Sequence, residues 1–74
     1  MKFEVMDDSG HSTFEFDPKD DAQVTSAMAK FEALVGGEKM LAITREAGQR
    51  DYTVARQFAD LKEETVFRPQ MKGG

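Results

Sequence analysis

Residues 16–37 read FDPKDDAQVTSAMAKFEALVGG, and this stretch decides the fold. Its apolar residues recur at steps of three and four, which predicts an amphipathic helix near residues 21–35. The apolar stripe consists of Val24, Ala27, Met28, Phe31, Leu34 and Val35. Asp20 and Gln23 match an N-cap and its capping-box partner. The glycine pair at 36–37 predicts the end of the helix, because glycine adopts the left-handed C′ conformation at low cost.

Alternating apolar residues on both sides of this helix predict strands. Before the helix, residues 2–6 and 12–16 alternate around a turn at residues 7–10, which indicates a β-hairpin. The strands predicted after the helix span residues 40–45, 52–58 and 65–67. The resulting order, β-β-α-β-β-β, predicts an α+β fold with one helix packed on a mixed sheet.

The expected core is the set of apolar residues on one side of each strand. These residues are Phe3, Val5, Phe14, Phe16, Leu41, Ile43, Val54 and Phe67. In the strand at 52–58, Tyr52, Val54 and Phe58 are predicted to share one face. Met40, Ala42 and Ala55 then fall on the opposite face of the sheet, away from the helix.

Length and composition narrow the class of protein. The chain has 74 residues and no cysteine, so it is expected to form one small domain, residues 1–69, followed by a tail at 70–74. A core of this size leaves little room for a deep substrate pocket, which favours a carrier or binding module over an enzyme. The net charge of −4 argues against nucleic acid as a partner. No stretch is long and apolar enough to span a bilayer, and we expect a soluble, cytoplasmic monomer.

The end of the chain carries the most specific motif. Residues 66–74 read VFRPQMKGG, an aromatic residue and a proline followed by a short tail ending in Gly-Gly. This stretch resembles the small subunit of molybdopterin synthase and the thiamine sulfur carriers, whereas FDPKDD and the long helix look more like ubiquitin and prokaryotic ubiquitin-like modifiers. The chain as a whole therefore resembles the ubiquitin-like β-grasp superfamily. As motif the resemblance covers about nine residues, and the turn glycine usual before the last strand is missing.

The resemblance implies a function for the last two residues. In these families a partner enzyme uses ATP to adenylate the terminal glycine carboxylate, and a thiol or sulfide then displaces AMP. Carried over to this chain, the activated residues are Gly73 and Gly74, and the residues expected to guide the tail into the partner are Arg68, Met71 and Lys72. The exposed sheet face carries partner contacts in ubiquitin-like proteins, which makes Met40, Ala42 and Ala55 the expected partner surface. The chain itself needs no cofactor, metal or catalytic residue.

The sequence is compatible with three functions. The first is a protein modifier that is activated by an adenylating enzyme, passed to a conjugating enzyme as a thioester, joined to target lysines and released by a deconjugating protease. The second is a sulfur carrier that ends as a thiocarboxylate and serves a sulfur-accepting synthase in molybdopterin, thiamine or related biosynthesis. The third is a small acidic binding module without tail chemistry. His11, in the first turn, is expected to be solvated, because isolated turn histidines rarely take part in chemistry.

Overall fold

The structure is a computed structural model that describes residues 1–7 and 10–70. Its strands are β1 (Lys2–Asp7), β2 (Gly10–Glu15), β3 (Met40–Arg45), β4 (Thr53–Ala55) and β5 (Glu64–Pro69). Its helix α1 spans Asp21–Glu32 and continues into a π-helical turn at Ala33–Gly37, and a short 3-10 turn follows β4 at Phe58–Asp60. The predicted order of elements is confirmed.

The sheet has five strands in the order β2-β1-β5-β3-β4. The first and last strands are parallel neighbours, with Val5 opposite Phe67, and the other three pairings are antiparallel. A parallel pair needs a crossover connection between its strands. Here the connection between β1 and β5 contains β2, α1, β3 and β4. The structure thus confirms an α+β protein in which one helix packs on a mixed five-stranded sheet.

The helix begins as predicted. The Asp20 carboxylate accepts hydrogen bonds from the backbone N–H groups of Ala22 (3.0 Å) and Gln23 (3.2 Å), which satisfies two of the donors exposed at a helix N-terminus. The Gln23 side chain does not accept a hydrogen bond from the N-cap N–H of Asp20, as it would in a standard capping box. Its Oε1 accepts from the N–H of Asp17 at 2.8 Å, so it also secures the chain between the hairpin and the helix.

The helix ends differently from the prediction. The left-handed residue is Lys39, with φ of 56°, and the glycine pair at 36–37 lies inside the π-helical turn. In that turn the N–H of Glu38 donates to the carbonyl of Ala33 at 2.9 Å. Because this hydrogen bond carries the helical backbone past the glycines, the reversal of the chain falls two residues later.

The core is a cluster of phenylalanines packed among small residues. Phe3 and Phe67 are fully buried and their rings meet edge to face at 5.0 Å. Phe31 from α1 reaches Phe67 at 5.8 Å. The buried apolar residues are Phe3, Val5, Phe16, Ala27, Phe31, Leu34, Met40, Ala42, Ala55 and Phe67, with Phe14 packed against them at the margin. The predicted burial of Phe3, Val5, Phe16 and Phe67 is therefore confirmed.

The predicted inward face of β3 is wrong by one residue. Met40, Ala42 and Thr44 are buried, whereas Leu41 and Ile43 are only half-buried. The pairing with β5 explains this, because Ala42 lies opposite Phe67 and therefore shares its face. A small residue at this point leaves room for the Phe67 ring beside Phe31, which a leucine or isoleucine would crowd.

The prediction for β4 is also wrong. The strand covers only Thr53–Ala55, and Ala55 is buried while Val54 is 52% exposed. Phe58 does reach the core margin, but from the 3-10 turn and with its ring 6.0 Å from that of Phe31. Tyr52 instead lies under Arg45, with the guanidinium 4.5 Å from the ring centre.

Candidate functional site

The sheet face opposite the helix carries a small apolar surface. Residues paired across strands share a face, so the partners of Ile43 lie beside it on that face, namely Val54 on β4 and Val66 on β5. Leu41 lies two residues along β3 on the same side. We call Leu41, Ile43, Val54 and Val66 the open-face patch. Val54 is exposed and the other three are half-buried.

This patch replaces the partner surface predicted from the sequence. Met40, Ala42 and Ala55 are 4%, 2% and 3% exposed, so their placement on the exposed face is wrong. The error has a single cause, which is the choice of the face of β3 that packs against the core. Ala55 follows β3 because it is paired with Ala42. The sequence signal that could have prevented it is the excess of large aromatic residues on the other strands, which favours a small residue such as Ala42 opposite Phe67.

Charged residues border the patch on two sides. Arg68 lies opposite Leu41 and is exposed. At the other end Arg45 is held by Glu64, which accepts from both Nε and Nη2 at 2.9 Å. Glu4 lies beside Val66 on β1. Because Arg45 is paired with Glu64, it is less available to a partner, whereas Arg68 remains exposed for an incoming acidic group. Arg56 is exposed as well and lines a depression together with Leu41 and Val54.

The end of β5 adjoins the patch. Pro69 is the last residue of the strand and lies opposite Met40, and the end of a strand is a position that tolerates a residue without an N–H. A shallow depression of about 310 Å³ is lined by Leu41, Arg68, Pro69 and Gln70. Leu41 therefore belongs both to the patch and to the place where the chain leaves the sheet. Among the predicted tail residues Arg68 is at this border, while Met71, Lys72, Gly73 and Gly74 lie outside the described residues.

The remaining candidates show no catalytic arrangement. His11 lies on β2 rather than in the turn, and its Nε2 is 3.8 Å from the Glu4 carboxylate with about half of the side chain exposed. Across residues 1–7 and 10–70 no group of three or more histidine, aspartate or glutamate side chains is placed to hold a metal ion. In the same part of the chain no helix has the length and apolar character needed to cross a bilayer.

The protein is thus an α+β domain with an apolar patch on the open face of its sheet, and β5 ends beside this patch. Comparison with protein-family models, curated proteins and solved structures found no match to this chain.

Proposed function

We propose that this chain is a ubiquitin-like β-grasp protein whose Gly74 carboxylate is activated by a partner adenylating enzyme. The observation that carries the proposal is the position of β5, which lies between β1 and β3 in the centre of the sheet and ends beside the open-face patch. The strand order and the parallel terminal strands are compatible with a β-grasp. Gly73-Gly74 follows the end of this strand after three residues.

In the proposed reaction this chain is the acyl donor. The carboxylate of Gly74 attacks the α-phosphorus of ATP and releases pyrophosphate. A thiolate of the partner then attacks the acyl carbon and displaces AMP, which gives a thioester. A lysine amine of the target finally displaces the thiolate and forms an amide. Glycines suit these steps because they lack Cβ and let the backbone approach the reacting groups closely.

Chain length restricts where the partner binds. Five residues separate Pro69 from the end of Gly74, and five extended residues span at most about 18 Å. The partner's reacting groups must therefore come within that distance of Pro69. The open-face patch lies within this reach because Leu41 lines the same depression as Pro69, and we assign the patch to partner docking. Arg68 at its border favours a partner surface with an acidic group there.

Conjugation to lysine is the outcome we propose, and a sulfur carrier is the alternative. The two differ in the second nucleophile, which is an enzyme thiol for the modifier and a sulfide source for the carrier. The Phe67-x-Pro69 end of β5 is the feature that favours the carrier, since that pattern is the one shared with the sulfur-carrier families. A binding module without tail chemistry is the further alternative.

The position of Lys72 makes the modifier directly testable. Trypsin cleaves after Lys72, so a target lysine joined to Gly74 retains a Gly73-Gly74 remnant on its side chain. The protein is expressed with an N-terminal tag in cells that encode it, and tryptic peptides of tagged conjugates are sequenced by mass spectrometry. We expect diglycine-modified lysines with the full chain and none with a variant that lacks Gly74. The intact mass of the tagged protein shows in the same sample whether Gly74 carries a free carboxylate.

The same samples separate the alternatives. An intact protein whose terminal carboxylate oxygen is replaced by sulfur, without diglycine-modified lysines, establishes the sulfur carrier. If neither product forms, and the variant lacking Gly74 behaves like the full chain, the proposed activation is wrong.

The assignment of the patch is tested with a matched pair of variants. Val54→Ser and Met28→Ser each remove an exposed apolar side chain, 52% exposed in the patch and 44% exposed on the helix. We expect Val54→Ser to lower the yield of conjugates several-fold, because it removes apolar area from the docking surface. Met28→Ser should leave the yield unchanged. Equal yields from the two variants would contradict docking at the patch while leaving the activation of Gly74 intact.

A further inference from the structure

The outer edge of β2 has backbone groups directed away from the sheet. Met1 and Phe16 exchange two hydrogen bonds of 2.9 Å. Hydrogen-bonded pairs alternate with non-bonded pairs along an antiparallel ladder. Phe14 and Ser12 therefore also bond to β1. The residues that alternate with them along β2 are His11, Thr13 and Glu15, and their N–H and C=O groups point outward. No other strand in the described part of the chain pairs with this edge.

This edge lacks the usual protection against pairing with another strand. Proteins commonly guard exposed edges with lysine, proline, a bulge or a very short strand. The other edge strand, β4, is protected by its length of three residues. In contrast, β2 has six residues with the sequence GHSTFE, and its register against β1 runs without a bulge from Glu15 to Gly10. It is the longer and more regular of the two edges.

We infer that β2 pairs with β2 of a second copy of this chain, antiparallel and centred on Thr13. Only this antiparallel register places all three outward residues opposite outward residues of the second copy, which allows six backbone hydrogen bonds. It sets Thr13 opposite Thr13 and His11 opposite Glu15, twice by symmetry. The inference goes beyond the proposed function and replaces the expectation of a simple monomer with a reversible dimer.

Charge supports the second copy as the occupant. His11 and Glu15 are the only ionisable residues of β2, and the register that satisfies the backbone brings them together. The imidazole donates a hydrogen bond to the carboxylate whether it is neutral or charged. Each copy carries a net charge of −4, which opposes association. At an ionic strength of about 0.15 M the screening length is about 8 Å. The Cβ atoms of directly opposed side chains lie about 4.5–5.5 Å apart, which is shorter than this length. Salt therefore weakens the repulsion between the two net charges more than it weakens the His11–Glu15 contact.

The open-face patch stays accessible in this dimer. The two-fold axis is perpendicular to the sheet, so both helices lie on one side of a continuous ten-stranded sheet and both patches on the other. β5 is separated from the new pairing by β1 and β2. The dimer is therefore compatible with docking at the patch, and its failure would leave the proposed activation untouched. An edge-to-edge contact is small, and small interfaces are weak and transient.

Sedimentation equilibrium of the full chain tests the dimer. At an ionic strength of about 0.15 M, we expect the average mass to rise from monomer toward dimer between low micromolar and millimolar concentration. Thr13→Pro should abolish this rise, because the ring removes an outward N–H at the centre of the pairing. The β1–β2 ladder does not use that N–H, so a melt of the variant should stay close to that of the parent. Thr13→Val, which keeps the N–H, is the matched control and should still associate.

Charge variants test the register. His11→Glu places a carboxylate opposite Glu15 of the second copy and should weaken dimerisation at least tenfold. The double variant His11→Glu/Glu15→Lys restores opposite charges and should recover most of the loss. A chain that remains monomeric at millimolar concentration overturns the inference, as does a Thr13→Pro variant that dimerises like the parent. Dimerisation unaffected by His11→Glu excludes the register centred on Thr13.

Discussion

Thr44 and Thr65 face each other in the core, with their side-chain oxygens 3.0 Å apart. They come from β3 and β5, and each is only 1% exposed. The Thr44 hydroxyl also accepts a hydrogen bond from the backbone N–H of Lys62 at 2.8 Å and lies 3.0 Å from the carbonyl of Glu64, to which it donates. One buried hydroxyl thus satisfies the N–H of Lys62, just before β5, and the carbonyl of Glu64, the first residue of β5.

Thr44→Val should destabilise the fold by about 1–3 kcal/mol, the cost of leaving buried polar groups without partners. The change keeps the shape of the side chain but removes the acceptor for Lys62 and the partner of Thr65. Thr65→Val should cost less, because the Thr44 hydroxyl keeps its contacts with Lys62 and Glu64. Urea unfolding of both variants measures the difference, and Thr44→Ser serves as the control that retains the hydroxyl. Equal losses for the two valine variants would contradict this account of the network.

Phe31→Ala should lower the free energy of unfolding by about 3–5 kcal/mol, as other large-to-small aromatic changes in cores do. Phe31 is 4% exposed and its ring meets those of Phe58 and Phe67. Met28→Ala, on the same helix but 44% exposed, should change stability by less than about 0.5 kcal/mol. Denaturant melts of the pair test the rotation of the helix, and a loss below about 1 kcal/mol for Phe31→Ala would place that ring outside the core.

Met40→Ala and Leu41→Ala test which face of β3 is buried. Met40 is 4% exposed and its truncation should cost about 2–5 kcal/mol. Leu41 is half-buried on the open face, so its truncation should cost clearly less. Thermal or urea melts of the two variants give the ranking. The reverse ranking would restore the inward placement of Leu41 and Ile43 that the sequence alone predicted.

Asp20→Ala should destabilise the fold by about 1 kcal/mol, the usual loss of an N-cap. The carboxylate accepts from the N–H groups of Ala22 and Gln23, and alanine leaves both without that acceptor. The neighbouring Asp21→Ala removes the same charge without the cap and should cost only a few tenths of a kcal/mol. Urea melts of the two variants separate the hydrogen-bonding role from the charge, and similar losses would show that only the charge matters.

Local patterns in the sequence determined much of this protein. The helix, its N-cap at Asp20 and the hairpin of β1 and β2 follow from periodicity and turn residues within short windows, and all three are confirmed. The central position of β5 was not predicted, because pairing between residues 62 positions apart in the chain, such as Val5 and Phe67, depends on contacts that no local window contains. The proposed activation of Gly74 stays a prediction from the sequence, since those residues lie outside the described part of the chain.

Only the tertiary structure decided which residues form the open-face patch. β3 has two alternating sets of side chains, Met40, Ala42 and Thr44 on one side and Leu41, Ile43 and Arg45 on the other. Both sets begin with two apolar residues, so the periodicity predicts a strand but does not predict which side faces the core. We expected Leu41 and Ile43 in the core. The register with β5 sets Ala42 against Phe67 instead, because the volume beside Phe31 and Phe67 is already filled by aromatic rings and admits only a small side chain. The larger aliphatic residues are thereby turned outward, and a packing requirement in the core creates the apolar surface on the opposite face.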